Sequence, residues 1–265
     1  MDVLQEIHEN YKYFSIKEKK IADYILKYKL DINNITITEL AKKIGASPSS
    51  ITRFSKKIKC ESFVHMKMKL NSDTTSLNKL NNDDLFDNVY NYYSEVISRT
   101  KLLLNKEKIY SFIKDLKNAK KIYIYGVGSS GLTATEFMQR LLRMGFNVSS
   151  ITDSHMMIIN SAIVSSQDLV IGLSISGETQ EVVNSLRICQ KNGAKTIGIT
   201  SSQNSSLSHF SDDLLIIYNS HFLDKNNFIN SQFSTIYLFD LISTILLKND
   251  DLSNKMQITI DAILK

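Results

Sequence analysis

The second half of the chain alternates short apolar runs with segments whose apolar residues recur at helical spacing. Val/Ile-rich runs bounded by polar turns are typical of strands that are buried on both faces. Such strands, alternating with helices, predict a parallel sheet covered by helices on both sides, which is an αβα sandwich of the α/β class. The predicted strands are 121–125, 146–151, 168–173, 195–200 and 213–217, and the predicted helices are 130–144, 154–163, 179–192, 227–247 and 252–264.

The hydrophobic pattern also divides the chain into two domains. Residues 1–72 show helical periodicity alone, which predicts an all-α domain. Residues 73–84 are rich in Ser, Thr, Asn and Asp, a composition typical of a linker. Two helices, 85–104 and 106–116, begin a second domain at 85–265. The sequence leaves open whether their apolar faces pack on this domain or on a partner subunit.

Positive charge is concentrated in the first domain. Residues 1–72 contain 14 Lys/Arg and 8 Asp/Glu, a balance of +6, whereas the whole chain has a net charge of +5. The rest of the chain is therefore slightly acidic. This asymmetry indicates either a solvated basic face or a surface that binds the phosphate backbone of a nucleic acid.

Composition argues against several other classes of protein. Hydrophobic residues make up 43% and charged residues 22% of the chain, as in an ordinary globular protein. No uncharged apolar run approaches the roughly 18 residues of a membrane span, and the N-terminus lacks a signal-peptide pattern. We therefore expect a cytoplasmic protein with no membrane partner. The two cysteines and five histidines have no metal-ligand spacing, so neither a metal nor a cofactor is expected.

Two short helices of the first domain have helix-turn-helix spacing. Gly45 ends the first helix, and Ser47 and Pro48 occupy the N-cap and first position of the second. Ala41 and Ile51 allow the two helices to approach, which would present the second helix to a major groove. An ordinary helical hairpin with a polar face is the alternative. The candidate base contacts are Ser49, Ser50, Thr52 and Arg53, and the candidate backbone contacts are Lys56, Lys57 and Lys59.

Two Gly/Ser-rich loops, GVGSSG at 126–131 and SISGET at 174–179, each follow a predicted strand and open a predicted helix. Ligands of parallel α/β sheets bind at such carboxyl ends of strands. Backbone N–H groups and hydroxyls at a helix N-terminus form a site for an anion, most often phosphate. The candidate hydroxyls are those of Ser130, Ser174, Ser176 and Thr179.

Several interpretations of these loops can be compared. Gly126, Gly128 and Gly131 match the dinucleotide fingerprint, and Asp153 lies 22 residues beyond the last of them, near the position of its acidic residue. A dinucleotide site would not need the second hydroxyl-rich loop, however, and hydroxyls from two loops suit one small phosphate better. A P-loop is excluded, because the chain has no Gly-Lys-Ser/Thr. The remaining alternative is that the hydroxyls only cap helices.

Both loops resemble a known domain. The residues GVGSS at 126–130, followed by LSISGET at 173–179, look like the sugar-isomerase (SIS) domain. Together with the helix-turn-helix, the chain resembles RpiR-family transcriptional regulators over nearly its full length. The N-terminal segment adds to this resemblance with Ser15-x-x-Glu18, Glu39-Leu40-Ala41 and Ile51-Thr52-Arg53-Phe54.

The resemblance implies an N-terminal helix-turn-helix domain, a linker and a SIS domain that binds a phosphorylated sugar. RpiR-type proteins are generally homodimers or homotetramers that sense such a sugar and change the binding of operator DNA near genes of sugar metabolism. In SIS domains, residues matching Ser130, Ser174, Ser176 and Thr179 hold the phosphate, and we add Ser129 and Glu178 from the same loops as candidates.

The chain departs from the family pattern in two places. Lys59 stands where many relatives have Gly after the recognition helix. Where many relatives open the long helix after the last strand with Ser-Arg-x-x-Gln, this chain has Ser231-Gln232-Phe233-Ser234-Thr235. In the second departure, Gln232 stands where those relatives have the arginine, and this change affects which ligand is bound.

A phosphosugar isomerase or lyase of the same fold is the alternative function. Proton abstraction beside a carbonyl requires a positioned base, for which Glu178 and His155 are the candidates. A carboxylate at the first turn of a helix is favoured by the helix dipole without any chemistry. An isomerase would have no use for a basic helix-turn-helix, so we expect a regulator without catalytic residues.

Overall fold

The computed structural model divides the chain into two compact units. The first consists of residues 1–92 and 221–229, and the second of residues 93–220 and 230–265. The predicted linker, 73–84, and the start of the predicted helix 227–247 lie outside the residues that the structure describes. The described residues are 3–28, 32, 35–72, 85–219 and 230–264.

The first unit contains helices packed around one hydrophobic core. Leu40, Ile51 and Phe54 are completely buried, and the ring of Phe14 meets that of Phe54 edge to face at 5.1 Å. Complete burial of such side chains contributes about 1.5–3 kcal/mol each, which makes this core the main source of the unit's stability. The helices are α1 (Val3–Asn10), α2 (Ile16–Lys27), α3 (Ile37–Ile44), α4 (Pro48–Lys57) and α5 (Phe63–Ser72).

Among the described residues, the second unit contains a sheet of five parallel strands, which, numbered along the chain, lie side by side in the order 2-1-3-4-5. Three of the strands have side chains that are almost all buried, as expected for a sheet covered on both faces, and the edge strand at 213–216 has two of its four side chains buried. The predicted α/β fold class is therefore confirmed. The strands are β1 (Lys121–Tyr125), β2 (Val148–Ile151), β3 (Asp168–Leu173), β4 (Lys195–Thr200) and β5 (Asp213–Ile216).

Helices cover both faces of this sheet. On one face, the stacked rings of Phe137 and Phe239, 3.9 Å apart, join the helix Ser129–Arg143 to the helix Phe233–Leu246 within the larger core. On the other face, Met157 and Leu186 of two further helices pack on Tyr123 and Tyr125. The helices among the described residues from 85 onward are α6 (Leu85–Leu103), whose first residues belong to the first unit, α7 (Lys106–Asn118), α8 (Ser129–Arg143), α9 (Ser154–Ser161), α10 (Gln180–Lys191), α11 (Phe233–Leu246) and α12 (Asp250–Leu264).

The later part of α6 packs on the second unit, which answers a question that the sequence left open. The ring of Tyr93 lies 4.2 Å from that of Phe233, and the guanidinium of Arg99 lies over the ring of Tyr218 at 5.3 Å. Within the described ranges, every helix is too short or too polar to cross a bilayer.

Candidate functional site

The sheet order creates a switch point between β1 and β3. From β1 the chain goes to β2 on one side, and it then returns to place β3 on the other side. Tyr125 at the end of β1 pairs with Gly172 near the end of β3, so the loops that follow these strands are neighbours. Doubly wound sheets with the order 2-1-3-4-5 bind ligands at this position.

The first loop, 126–130, has a backbone that only glycine permits. Gly128 has φ +60° and ψ −131° and stands at the N-cap of α8. A Cβ on Gly126 would lie 2.8 Å from the carbonyl oxygen of Ser130, and a Cβ on Gly131 would lie 2.7 Å from that of Gly126. The loop therefore folds closely on itself and turns the N-terminus of α8 outward, with Ser129 exposed and Ser130 half-buried.

The second loop, 174–179, is held by its own hydroxyls. Ser174 is almost completely buried, accepts a hydrogen bond from the backbone N–H of Gly177 at 3.1 Å, and lies 2.9 Å from the hydroxyl of Thr179. Gly177 has φ +69°, the left-handed region that favours glycine. Ser176 is exposed and accepts from the N–H of Glu178 at 3.2 Å. The loop thus presents Ser176 to solvent above a fixed Ser174.

The helices that start at the switch point lack the side-chain caps that other helices have. Thr179 is the N-cap of α10, but its hydroxyl is paired with Ser174 and makes no capping bond, and Gly128 of α8 has no side chain to offer. In the same unit, Asn105 and Asp153 cap α7 and α9 with hydrogen bonds from their side chains. The first N–H groups of α8 and α10 therefore remain available to an anion.

The carboxylate of Glu178 points to another loop. Its two oxygens accept hydrogen bonds from the backbone N–H of Ser206 at 3.1 Å and from the Ser206 hydroxyl at 2.5 Å. Ser206 belongs to the segment that joins β4 to β5. Glu178 therefore connects this segment to the second loop, a role that the sequence did not indicate.

The structure brings a further residue to the first loop. The amide Oε1 of Gln232, at the N-cap of α11, lies 3.5 Å from the hydroxyl of Ser130, which is 102 positions earlier in the chain. Gln232 is only 5% exposed, and it also makes no capping bond to its helix. Three helix N-termini without side-chain caps therefore surround the switch point, those of α8, α10 and α11.

The predicted helix-turn-helix is present in the first unit. Gly45 ends α3 with φ +67°, in the left-handed conformation, and the Ser47 side chain accepts the capping bond from the N–H of Ser50. Ile51 and Phe54 face the core, which leaves Arg53 exposed on the opposite side of α4. The candidate base contacts that are exposed or half-exposed along this surface are Ser49, Ser50, Thr52 and Arg53.

The short hydroxyl side chains of α4 have hydrogen-bond partners at the start of their own helix. Ser49 and Ser50 each lie 2.9 Å from the Ser47 hydroxyl, and Thr52 donates to the carbonyl of Pro48 at 3.1 Å. These short side chains are therefore partly satisfied within the helix, so DNA would have to compete for them.

The two lysines nearest the end of α4 form ion pairs. Lys57 contacts Glu18 of α2 at 2.9 Å, and Lys59 contacts the nearly buried Glu6 of α1 at 2.7 Å. Lys59 also has φ +57°, a left-handed conformation just after the end of α4. Within the described part of the chain, Arg53 and Lys56 are exposed and have no ion-pair partner. They are the cations of α4 that are most accessible to DNA.

Comparison with known proteins agrees with both parts of this description. Residues 1–76 match the sequence model of the helix-turn-helix domain of the rpiR family, and residues 115–242 match that of the SIS domain. A helix-turn-helix transcriptional regulator of Haemophilus influenzae is 29% identical, with 94% of this chain and 91% of that protein aligned. A regulator of Clostridium perfringens is 30% identical, with 94% and 93% aligned.

Among solved structures, the NanR protein of Vibrio vulnificus in complex with ManNAc-6P superposes on this chain with a TM-score of 0.63. The match covers 99% of this chain and 98% of NanR at 22% sequence identity. At this level of identity, the likeness shows the fold.

Proposed function

The chain belongs to the RpiR family of helix-turn-helix transcriptional regulators that carry a SIS domain, and from this premise we propose that it binds operator DNA under the control of a phosphorylated sugar. The phosphosugar binds at the switch point, and α4 binds the DNA. The genes concerned are genes of sugar metabolism, and the protein acts in the cytoplasm.

The observation that supports the sugar site best is the set of uncapped helix N-termini at the switch point. Each uncapped helix start offers N–H groups and the positive end of a dipole, both of which stabilise a phosphate. The hydroxyls of Ser130, Ser174, Ser176 and Thr179 add neutral hydrogen-bond donors, with Ser129 beside them. NanR, which has the same fold, is solved in complex with ManNAc-6P, and this also favours a phosphosugar.

In this proposal Glu178 contributes indirectly. Its carboxylate holds Ser206 and so fixes the shape of the second loop, rather than facing a phosphate that it would repel. The same contact argues against Glu178 as the base of an isomerase, because a base needs an oxygen directed at the substrate. We therefore propose that the protein is not an enzyme.

DNA binding by α4 relies on a division of roles. Arg53 reads a base edge, since its planar guanidinium can form two hydrogen bonds with a guanine. Lys56 contacts the DNA backbone, and Lys57 can do so only if it exchanges Glu18 for a phosphate. Ser49, Ser50 and Thr52 contact bases or phosphates near the start of the helix.

We further propose that the protein acts as a homodimer or homotetramer, so that paired helix-turn-helix units meet an operator with two half-sites. Four apolar side chains on and just after α9 are at least half exposed, namely Met156, Ile158, Ile159 and Ile163, as is common where proteins associate. The phosphosugar then favours one arrangement of the subunits, and the coupling between sugar and DNA is typically about 1–3 kcal/mol.

The test is fluorescence anisotropy of the protein on DNA from upstream of its own and neighbouring genes, titrated with pentose, hexose and amino-sugar phosphates. The proposal predicts sequence-selective binding that one phosphosugar shifts. Ser176→Ala should keep the DNA affinity and lose the shift, whereas Ser253→Ala on α12 should change neither. Turnover of a phosphosugar without selective DNA binding would favour the isomerase or lyase instead.

A further inference from the structure

The N-terminus of α11 supplies a polar side chain that the phosphate loops do not account for. Gln232 reaches the first loop from a distant part of the sequence, and its amide Oε1 is 3.5 Å from the Ser130 hydroxyl. Its backbone N–H donates to the side chain of Asn230 at 2.8 Å, which fixes the position of the residue. This amide is therefore held beside the proposed phosphate site.

The amide of Gln232 is buried and poorly satisfied. Only 5% of the residue is exposed, yet its two side-chain contacts, to Ser130 at 3.5 Å and to Ser231 at 3.4 Å, are longer than well-formed hydrogen bonds. Buried amides normally have close partners, because an unsatisfied amide loses its hydrogen bonds to water without replacement. Ser234 and Thr235, two and three positions after Gln232, are fully buried, and neither hydroxyl has a hydrogen-bond partner within the described residues.

The direction of the Ser130 contact has a chemical consequence. The Ser130 hydroxyl has one proton, and the nearest atom of the Gln232 amide is Oε1, an acceptor, so a hydrogen bond between the two groups in this arrangement uses that proton. A phosphate dianion only accepts hydrogen bonds, so Ser130 must give it that same proton. A half-turn of the Gln232 amide would resolve this conflict, since Nε2 could then donate to the Ser130 oxygen.

We infer that Gln232 is part of the ligand site and selects a phosphate by this exchange of donor and acceptor. When the phosphate binds, Ser130 donates to it and Nε2 of Gln232 donates to Ser130. No proton or charge is transferred to the protein; only the orientation of two groups changes. The ligand class is a phosphate monoester held by neutral donors, and Gln232 also connects the first loop to α11. The inference rests on the proposed function.

Gln232→Glu is the most direct test, because a carboxylate cannot donate to Ser130 and adds negative charge beside the phosphate. We expect a loss of phosphosugar affinity of about a hundredfold or more. Gln232→Met removes the amide without adding charge, so the loss should be about tenfold or less. Gln139→Glu, at an exposed position of α8, is the matched control and should leave the affinity unchanged.

Affinities are measured by titration calorimetry with glucose 6-phosphate, arabinose 5-phosphate and N-acetylated hexosamine 6-phosphates. Inorganic phosphate and the free sugars are the reference ligands. Thermal melting of each variant reports whether it folds. If Gln232→Glu binds as well as the natural protein, or if Gln232→Met loses as much as Gln232→Glu, the inference is wrong.

A double-mutant cycle covers the case in which Gln232→Glu does not fold. In a Ser130→Ala background, Gln232→Met should have no further effect on phosphosugar affinity, because the two residues act through one contact. Independent, additive losses would overturn the inference. If the natural protein binds none of these phosphosugars, the proposed function itself fails, and the two failures are thus distinguishable.

Discussion

The helix starts of the N-terminal unit differ from those at the switch point. In the first unit, Ser15, Thr36 and Ser47 each accept a capping bond from their own helix, and two of them form complete capping boxes with a glutamate. At the switch point, Gly128, Thr179 and Gln232 stand at the same position and make no such bond. The same position in a helix thus serves the fold in one region and is left open in the other.

The difference shows that a hydroxyl near the start of a helix can either cap the helix or leave its N–H groups open to a ligand. A capping side chain contributes about 0.5–2 kcal/mol to stability and leaves the helix start satisfied. A helix start without a cap loses this contribution, and its N–H groups remain available to an external anion. The two regions also bind phosphate differently in our proposal, with exposed cations on α4 and with neutral donors at the switch point.

The largest effect is expected from Gly177→Ala, which changes the second loop at the switch point and leaves the first unit unchanged. A Cβ there would lie 2.3 Å from the side chain of Ser205, at a φ of +69°. We expect phosphosugar affinity to fall about a hundredfold or more, because the clash must displace the second loop, and the left-handed Ala adds strain of about 1–2 kcal/mol. Titration calorimetry measures the loss.

Gly193→Ala is the control for this variant. Its φ is +83°, so the backbone strain is similar, but the nearest atom to a new Cβ is 3.9 Å away. It should lower the melting temperature and keep the phosphosugar affinity. Equal losses of affinity in both variants would show that strain, and not the shape of the second loop, decides binding.

Arg53→Ala should have the next largest effect, on DNA binding only. Loss of a base contact costs about 1–3 kcal/mol, whereas Lys20→Ala, at an exposed position of α2, should cost far less. DNA affinity should also fall steeply as salt increases, because cations bind the phosphates, while phosphosugar affinity should change little. Anisotropy titrations at several salt concentrations measure both effects. Equal losses for Arg53→Ala and Lys20→Ala would contradict the assignment of α4.

A pair of serine variants compares the two kinds of helix start directly. Ser47→Ala removes a cap and should lower the free energy of unfolding of the first unit by about 1 kcal/mol. Ser130→Ala removes no cap, so it should leave the stability nearly unchanged and weaken only phosphosugar binding. Scanning calorimetry and ligand titration separate the two. A clear loss of stability in Ser130→Ala would mean that this hydroxyl serves the fold.

The smallest effect concerns pH. Burial alone would raise the pKa of Glu18, but hydrogen bonds from the Ser15 N–H and from Lys57 outweigh it and lower the pKa below its ordinary value of 4.5. Its contribution to stability is therefore present above pH 4.5 and is lost as the pH falls through the lowered pKa. Glu18→Gln should reduce stability by less than about 1 kcal/mol at pH 7, and the difference should vanish in acid. If the carboxylate does not contribute, unfolding curves across this pH range would show a difference in the free energy of unfolding between the two proteins that does not change with pH.

Local patterns were sufficient to predict the sheet and both loops, since strands and Gly/Ser turns are read from neighbouring residues. The α5 helix was missed, because Phe63, Met66 and Leu70 are buried while Val64 and Met68 are exposed, and apolar residues on both faces obscure the period. The short α1 was missed as well.

The contacts between distant residues could not be predicted from the sequence. The pairs Lys57 with Glu18 and Lys59 with Glu6 join helices that are far apart along the chain. The approach of Gln232 to Ser130 depends on how α11 packs against α8. No local pattern encodes such packing, so Lys57 and Lys59 are predicted as DNA contacts without their acidic partners.

Reciprocal binding experiments show whether the switch point and α4 are coupled. The affinity for the active phosphosugar is measured with and without saturating operator DNA, and the affinity for the DNA with and without the sugar. If the two sites are coupled, both affinities change by the same factor, about 5- to 150-fold, as thermodynamic linkage requires. If the sugar binds equally well with and without operator DNA, the two sites are independent, which contradicts the proposed regulation.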